Sequence, residues 1–456
     1  MSSTTTKHSK QWSPSDLTPH QQEVITSLYE NNKLVIAQAG AGKTVCSQTV
    51  AQELIDDSEL TRVIIFAPLK VCQLTWAQEF NDWTHLRPVT MALGNANQRR
   101  DAVTGGTELV CMNIDNMAWF FKEFGDKHGF DGLIIDEGSK LKAAGGAGFK
   151  KLRYRLKDFT WRCVMSATPV HEASTDIYTQ IMCVDGGAAL GRSKELFQRK
   201  YFMSLDYQNR KWGFQPGGVE RLTDDIAHLV CIMDTVDYEA DLPELEDITV
   251  PVLMPPEARE VYDDFANKML AEIDGKDIEA VNLAVQSGKM QQVCCGAVYG
   301  EDKSTNWLHK AKFGQLTELV GCWQEPVIIV YQYTYEKEML QAMYTDALVL
   351  GDDPVEAERA WSAGECDILL MHPKSGGHGL NLQKGGCRMI WMSPVWSADQ
   401  WDQCIRRIWR RGQPSPVVWR YTLVVPDSVE EFILDRHLIK MENASTFVDH
   451  LRSKTV

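Results

Sequence analysis

Leu34-Val35-Ile36-Ala37 runs without a break into Gln38-Ala39-Gly40-Ala41-Gly42-Lys43-Thr44, and a helical pattern follows. A short apolar run of this kind reads as a strand buried on both faces, and such strands belong to parallel α/β sheets. Gly40 and Gly42, with Ala41 between them, let backbone N–H groups close around phosphate oxygens. Lys43 would then reach the β- and γ-phosphates of a nucleoside triphosphate, and Thr44 would ligate Mg²⁺. The first position of the pattern is Ala37 rather than glycine. A bare glycine turn between strand and helix is the plainer reading, but the Gly-Lys-Thr ending in this context favours the phosphate loop.

Similar apolar runs recur along the chain. In the first half they are 63–66, 109–112, 133–135 and 163–165; in the second, 327–330, 368–371, 389–392 and 417–425. Their alternation with helical stretches implies parallel sheets. The two sets are separated by about 150 residues of mainly helical or irregular character, so the reading is two α/β lobes. The acidic stretch ending in Asp241-Leu242-Pro243-Glu244 is the expected hinge. The expected division is a disordered tail over 1–16, a first lobe over 17–240 and a second over 241–456.

A chain of 456 residues with 44% hydrophobic and 24% charged residues has ordinary globular composition, which excludes collagenous, disordered and disulfide-scaffold classes. No apolar run approaches the roughly 18 residues that would span a bilayer. Met1 to Asp16 lacks the apolar core of a signal peptide. The 12 Cys contain no Cys-x-x-Cys pair, which fits buried thiols in a reducing cytosol rather than a zinc site. The net charge is 47 − 62 = −15, which on its face argues against a nucleic-acid partner. The charge is segregated, however. Residues 140–162 hold eight Lys or Arg and one acid, residues 405–420 hold five Arg and no acid, and residues 223–247 hold nine acids and no Lys or Arg. Binding follows the local field, so the net sign decides little.

Run 133–135 ends in Asp136-Glu137. A carboxylate at the C-terminal end of a neighbouring parallel strand sits where α/β sheets bind ligands. Asp136 would hold Mg²⁺, and Glu137 would orient or deprotonate the attacking water. In the second lobe, Gln403-x-x-x-Arg407-x-x-Arg410-x-Gly412-Gln413 places two arginines three apart, on one face of a helix. They read either as an exposed basic helix or as fingers for the γ-phosphate.

Taken together the chain resembles a superfamily 2 helicase of the Swi/Snf type, in the compact form found in phages and prophages. The resemblance runs from about Leu17 to about Met441. It rests on Leu17-Thr18-Pro19-His20-Gln21, the loop at Gly40, Ala67-Pro68-Leu69-Lys70 with Trp76 and Glu79-Phe80, and Asp136-Glu137-Gly138-Ser139-Lys140-Leu141-Lys142. It rests also on Ser166-Ala167-Thr168-Pro169, Ser375-Gly376-Gly377-His378-Gly379-Leu380-Asn381-Leu382 and the Gln403–Gln413 segment. Ser139 stands where the family usually has His. The resemblance implies two RecA-like lobes with a nucleotide cleft between them, ATP and Mg²⁺ as cofactors, and duplex or branched DNA as partner. Gln21 and Gln403 would contact nucleotide. Lys70, Asn113, Lys374, Ser375 and Gly376 would contact DNA, and Ser166, Thr168, Gly379 and Asn381 would couple the two. The implied activity is ATP-driven translocation along duplex DNA by a cytoplasmic monomer, in phage replication, recombination or repair. A strand-separating or branch-migrating helicase and a non-translocating ATPase switch remain the alternatives. Nucleosome remodelling is not implied, and no zinc is expected at His171 or His378. Phe149, Leu152, Leu156 and Phe159 form a buried stripe, with Lys150, Lys151, Arg153, Arg155 and Lys157 largely on the other side. That basic side is either solvated or a DNA-backbone contact.

Overall fold

In the computed structural model the apolar runs become the strands of two separate parallel sheets. The structure describes residues 11–455 except 39, 142–145, 168–173, 205–211, 234–241, 275–279, 352 and 377–379. The chain divides into two units, Met1–Ala240 together with Glu442–Val456, and Asp241–Met441. The expectation of a second lobe reaching residue 456 is therefore corrected at its end. Phe447 and Leu451 are buried in the core of the first unit, where Phe447 lies against Phe214 with ring centroids 6.3 Å apart.

The strands of the first unit are β1 (Lys33–Ile36), β2 (Val63–Ala67), β3 (Thr90–Ala92), β4 (Leu109–Asn113), β5 (Gly132–Asp136), β6 (Trp161–Ser166), a hairpin of β7 (Phe202–Ser204) and β8 (Trp212–Phe214), and β9 (Val230–Ile232). Seven of them form the sheet β3-β4-β2-β5-β6-β1-β9, parallel throughout. Ile64, Ile65 and Phe66 of β2 have no exposed surface, because helices cover both faces. Each such side chain stabilises the fold by roughly 1.5–3 kcal/mol relative to exposure. In this register β1 lies beside β6, and β6 beside β5. The chain therefore leaves the sheet at Ala37, Ser166 and Asp136 in three adjacent positions. The Ala37 amide donates to the Ser166 carbonyl at 3.1 Å.

The second unit contains β10 (Glu244–Pro251), a hairpin of β11 (Ala297–Tyr299) and β12 (Thr305–Trp307), β13 (Val327–Val330), β14 (Leu348–Leu350), β15 (Ile368–Met371), β16 (Arg388–Trp391) and β17 (Val417–Val424). Six of these form the parallel sheet β10-β17-β16-β13-β15-β14. The division between the units falls between Ala240 and Asp241, within the expected hinge, and only the hinge's last residue, Glu244, is corrected: it begins β10, which pairs with β17 over all eight residues. An edge strand can carry acids on its open side, and Asp247 accepts from the Arg420 guanidinium. Residues 234–241 of that acidic stretch lie outside the described ones. Beneath the sheet Lys312 and Glu430 form an ion pair with no exposed surface. Lys312 Nζ also donates to the carbonyls of Met392 at 2.8 Å and Leu423 at 3.0 Å, which completes its hydrogen bonds and makes its burial tolerable. No helix among the described residues is long and apolar enough to cross a membrane.

His437 is buried beside Trp401 in this unit. Burial, with Lys440, Arg420 and Arg436 near, lowers its pKa to about 4. The unfolded chain, at an ordinary value near 6.5, takes the proton first as pH falls. The stability is fully present above about pH 6.5 and is lost on the way down to about pH 4. We expect the second unit to be less stable at pH 5.0 than at pH 7.5, with His437 contributing about 2 kcal/mol of the difference. Urea unfolding of wild type and His437→Leu at both pH values checks this. A pH difference of equal size in the two proteins would refute it.

Candidate active site

The helix α1 (Pro19–Glu30) starts with Thr18 as its cap. Gln21 Oε1 accepts from the Thr18 amide at 2.9 Å, and the Gln21 amide donates to Thr18 Oγ1 at 3.3 Å. This reciprocal cap fixes the glutamine side chain. Its Nε2 then donates to the Ala41 carbonyl at 3.2 Å, so Gln21 touches the loop that follows β1. The loop leads into α2 (Lys43–Asp56) through Gly40 and Gly42, whose φ values are +85° and +90°. The left-handed backbone at Gly42 favours glycine, and a Cβ there would also displace the Gln21 side chain, whose Nε2 would lie 2.2 Å away. Ala39 lies outside the described residues.

Lys43 Nζ donates to the carbonyls of Ala37 at 2.7 Å and Gln38 at 2.9 Å. Its charge also acts on Asp136, the last residue of β5. Asp136 is 8% exposed, and burial raises its pKa. A hydrogen bond from Trp76 Nε1 to Oδ2 at 2.9 Å opposes that rise, as does Lys43. Glu79 also faces this region, its carboxyl pushed up to about 7 by desolvation and by Asp82 and Asp136. The local field is thus short of positive charge. A buried carboxylate with the Thr44 hydroxyl beside the loop is an all-oxygen donor set, which suits Mg²⁺. The sequence reading included Trp76 in a motif but missed its bond to Asp136, because 60 residues separate the two.

Glu137 has a left-handed backbone, with φ +66°, uncommon for a non-glycine residue. Ser139, 2% exposed, donates from Oγ to Glu137 Oε1 at 2.6 Å, the short distance of a charge-assisted bond. Gly138 between them has no room for a side chain, since a Cβ would lie 2.7 Å from Val164 Cγ1. Ser166 is fully buried at the end of β6, and its Oγ has no hydrogen-bond partner among the described residues. Thr168 lies outside them. Lys70 follows the end of β2 in the short helix Leu69–Val71. Asn113 ends β4, with its side chain accepting from the Asp115 amide at 3.2 Å. All of these lie in the first unit.

The remaining expected residues lie in the second unit. Lys374 is exposed in the short helix Pro373–Gly376, which includes Ser375 and Gly376; Gly379 lies outside the described residues. The arginine pair needs a correction. The helix Ala398–Ile405 ends before both, so Arg407 and Arg410 lie on the turns that follow rather than on a helical face. The chain turns back there because the Arg407 carbonyl accepts from the Leu382 amide at 3.1 Å. Arg407 is 5% exposed, and its Nη1 lies 3.4 Å from the Leu380 carbonyl. Gln403 is buried and donates to Asp399 Oδ1 at 2.8 Å. Asn381 is exposed, and its amide donates to Glu358 Oε1 at 2.8 Å. Burial raises the Glu358 pKa, while that bond and the charges of Arg410 and Arg407 lower it. The segments around Asn381 and Arg407 thus meet, with Glu358 close to both.

If Asp136 holds Mg²⁺ as the sequence leads one to expect, it should lose metal affinity when Trp76 no longer orients it. Trp76→Phe keeps most of the apolar bulk and removes the donor. The Mg²⁺ concentration for half-maximal ATPase activity should rise about tenfold, as for other changes in the shell behind a metal ligand. An unchanged Mg²⁺ titration would refute that role.

Comparison with known proteins follows the same outline. A family model described as the SNF2-related domain matches residues 20–297. The chain is 29% identical over 457 residues to "Putative protein p41" of Acyrthosiphon pisum secondary endosymbiont phage 1, covering 96% of this chain and 98% of that one. It is 23% identical over 511 residues to a "DNA repair and recombination protein RAD54-like" of Drosophila mojavensis, covering 96% of this chain but only 64% of that protein. Among solved structures it is similar to the Sulfolobus solfataricus SWI2/SNF2 ATPase core in complex with dsDNA. The identity is 17% and the TM-score 0.44, with 94% of this chain and 93% of that one covered.

Proposed function

The chain belongs to the SNF2-related domain family, and from that premise we propose that it is a DNA-stimulated ATPase that uses Mg²⁺–ATP to translocate along duplex DNA. The observation that carries the reading is the meeting of Lys43, Asp136 and Glu137 at one end of the first sheet, beside a glycine loop held by Gln21. When bound, Mg²⁺ would neutralise phosphate charge, held through Thr44 and Asp136. Lys43 binds the β- and γ-phosphates once it leaves the loop carbonyls. Glu137 accepts the proton of the attacking water, with Ser139 fixing its carboxyl. Gln403, Arg407 and Arg410 act on the nucleotide from the second lobe, and Arg407 and Arg410 stabilise charge that develops in the transition state. Ser166, Thr168, Gly379 and Asn381 transmit the nucleotide state to the DNA contacts at Lys70, Asn113, Lys374, Ser375 and Gly376.

A second parallel sheet with its own basic turn supports a motor over a simple switch, which needs no second lobe. The names of the RAD54-like relatives support a DNA substrate, and the phage relative supports a role in phage DNA replication, recombination or repair in the host cytoplasm. ATP hydrolysis measured with duplex, single-stranded and forked DNA and with RNA tests the proposal. Stimulation by duplex is expected. Turnover indifferent to every nucleic acid would overturn it.

A further inference from the structure

Several exposed cations on this protein have acidic partners. Arg87 pairs with Asp56 and Glu108, Arg100 with Glu123, Lys200 with Asp225, and Arg359 with Glu356 and Glu365. That is expected of a chain with 62 acids against 47 Lys and Arg. The helix Ala147–Arg155 and the turn after it differ in gathering four exposed cations into one short stretch, beside an Arg155 that pairs with Asp158. Lys150, Lys151, Arg153 and Lys157 are all exposed, and none has an ion-pair partner among the described residues. Tyr154 stands among them at 73% exposure, with the Arg153 guanidinium 5.8 Å from its ring centroid.

Like charges three or four apart on a helix destabilise it, and Lys150–Arg153 and Lys151–Arg155 are such pairs. The helix dipole rewards cations only in the last turn, so it does not account for Lys150 and Lys151. The helix is nonetheless firmly seated, because Phe149, Leu152 and Leu156 beneath it are buried. Its first turn packs against the start of the helix Met117–Glu123, which follows β4. A Cβ on Gly148 would lie 3.4 Å from Met117 Cβ, four residues beyond Asn113.

We propose that this helix is a docking surface for the sugar–phosphate backbone of duplex DNA, extending the contact expected at Asn113 along the flank of the first lobe. Charge selects the occupant: a rigid row of unpaired cations and a tyrosine hydroxyl on an acidic protein suits a phosphate polyanion. The inference rests on the reading of the chain as a DNA-stimulated ATPase.

The test is the triple variant Lys150→Glu/Lys151→Glu/Arg153→Glu, whose changed side chains are all exposed, beside the milder Lys150→Ala/Lys151→Ala. Binding to a short fluorescent duplex is followed over a salt series, with ATPase activity in parallel. Each lost phosphate contact should reduce the slope of log K against log salt by about 0.9, so the triple variant should lose about 2–3. Its Kd should rise at least about tenfold at moderate salt. Its kcat at saturating duplex should stay that of wild type. Wild-type slope and Kd in both variants, with ATPase still stimulated by duplex, would overturn the surface and leave the proposed function standing. An acidic protein as the true occupant would give that same result. A wild-type chain that binds duplex through these residues but shows no stimulation would instead overturn the function and support the surface.

Discussion

Lys43→Ala should abolish multiple-turnover ATP hydrolysis and leave the first lobe folded. The lysine contributes charge to the loop rather than apolar packing, and its ammonium donates to the carbonyl oxygens of Ala37 and Gln38 at 2.7 and 2.9 Å. Removing one preorganised donor to developing charge costs about 10²–10³ in kcat, and a phosphate-binding lysine should be at the upper end. Glu137→Gln should be equally inactive for a different reason. The amide oxygen can still accept from Ser139, so the side chain keeps its place, but it is no longer a base. Asp136 is untouched, so this variant should still bind Mg²⁺–ATP. Phosphate release, with the Kd for a fluorescent ATP analogue, separates the two effects. Wild-type-like turnover in either variant defeats the site assignment.

Arg410→Ala should leave nucleotide affinity within a few fold of wild type and greatly reduce turnover at saturating DNA. Gln21, Lys43 and Asp136 all belong to the first unit, so that unit should hold ATP alone. Arg407 and Arg410 belong to the second, so their charge would serve the transition state, where an arginine finger contributes on the order of 10³–10⁵ in rate. Arg407→Ala should show the same loss, but Arg407 is 5% exposed and its backbone holds the Leu382 segment. Its removal should also lower the stability of the second unit, which makes half-buried Arg410 the cleaner test. If both are merely backbone-binding cations, the variants will lose DNA affinity and regain full kcat at saturating DNA. That recovery would sink the finger assignment.

The parts of the site legible in the sequence are those where one short segment carries the whole physical signal. Gly40, Gly42 and Lys43 are such a segment, because a strand, a left-handed turn and a helix start are all local events. Asp136 was legible because a buried strand that ends in an acid announces its own position. The 3.6-residue rhythm also found the buried row Phe149, Leu152, Leu156 and Phe159, although the α-helix itself stops at Arg155. Local rhythm misled at Arg407 and Arg410, since helical spacing continues past Ile405 while the backbone turns to meet Leu382. It misled also at Glu244, read as the end of an acidic hinge, where pairing with β17 begins a strand. Lys312 was invisible: a lysine buried by Glu430, 118 residues away, leaves no trace in its own neighbourhood. The same is true of Trp76 with Asp136.

The placement of Phe447 and Leu451 in the core of the first unit has a consequence for synthesis. That unit is assembled from two pieces of chain, Met1–Ala240 and Glu442–Val456, with the whole of Asp241–Met441 between them. On the ribosome, where domains generally fold as units from the N-terminus, the nucleotide-loop sheet can form early. Its apolar surface around Phe214 must then stay uncovered while some 200 further residues are made. The second unit is, in this sense, a guest folded inside an unfinished host. The unit translated before the second one is therefore completed only after it.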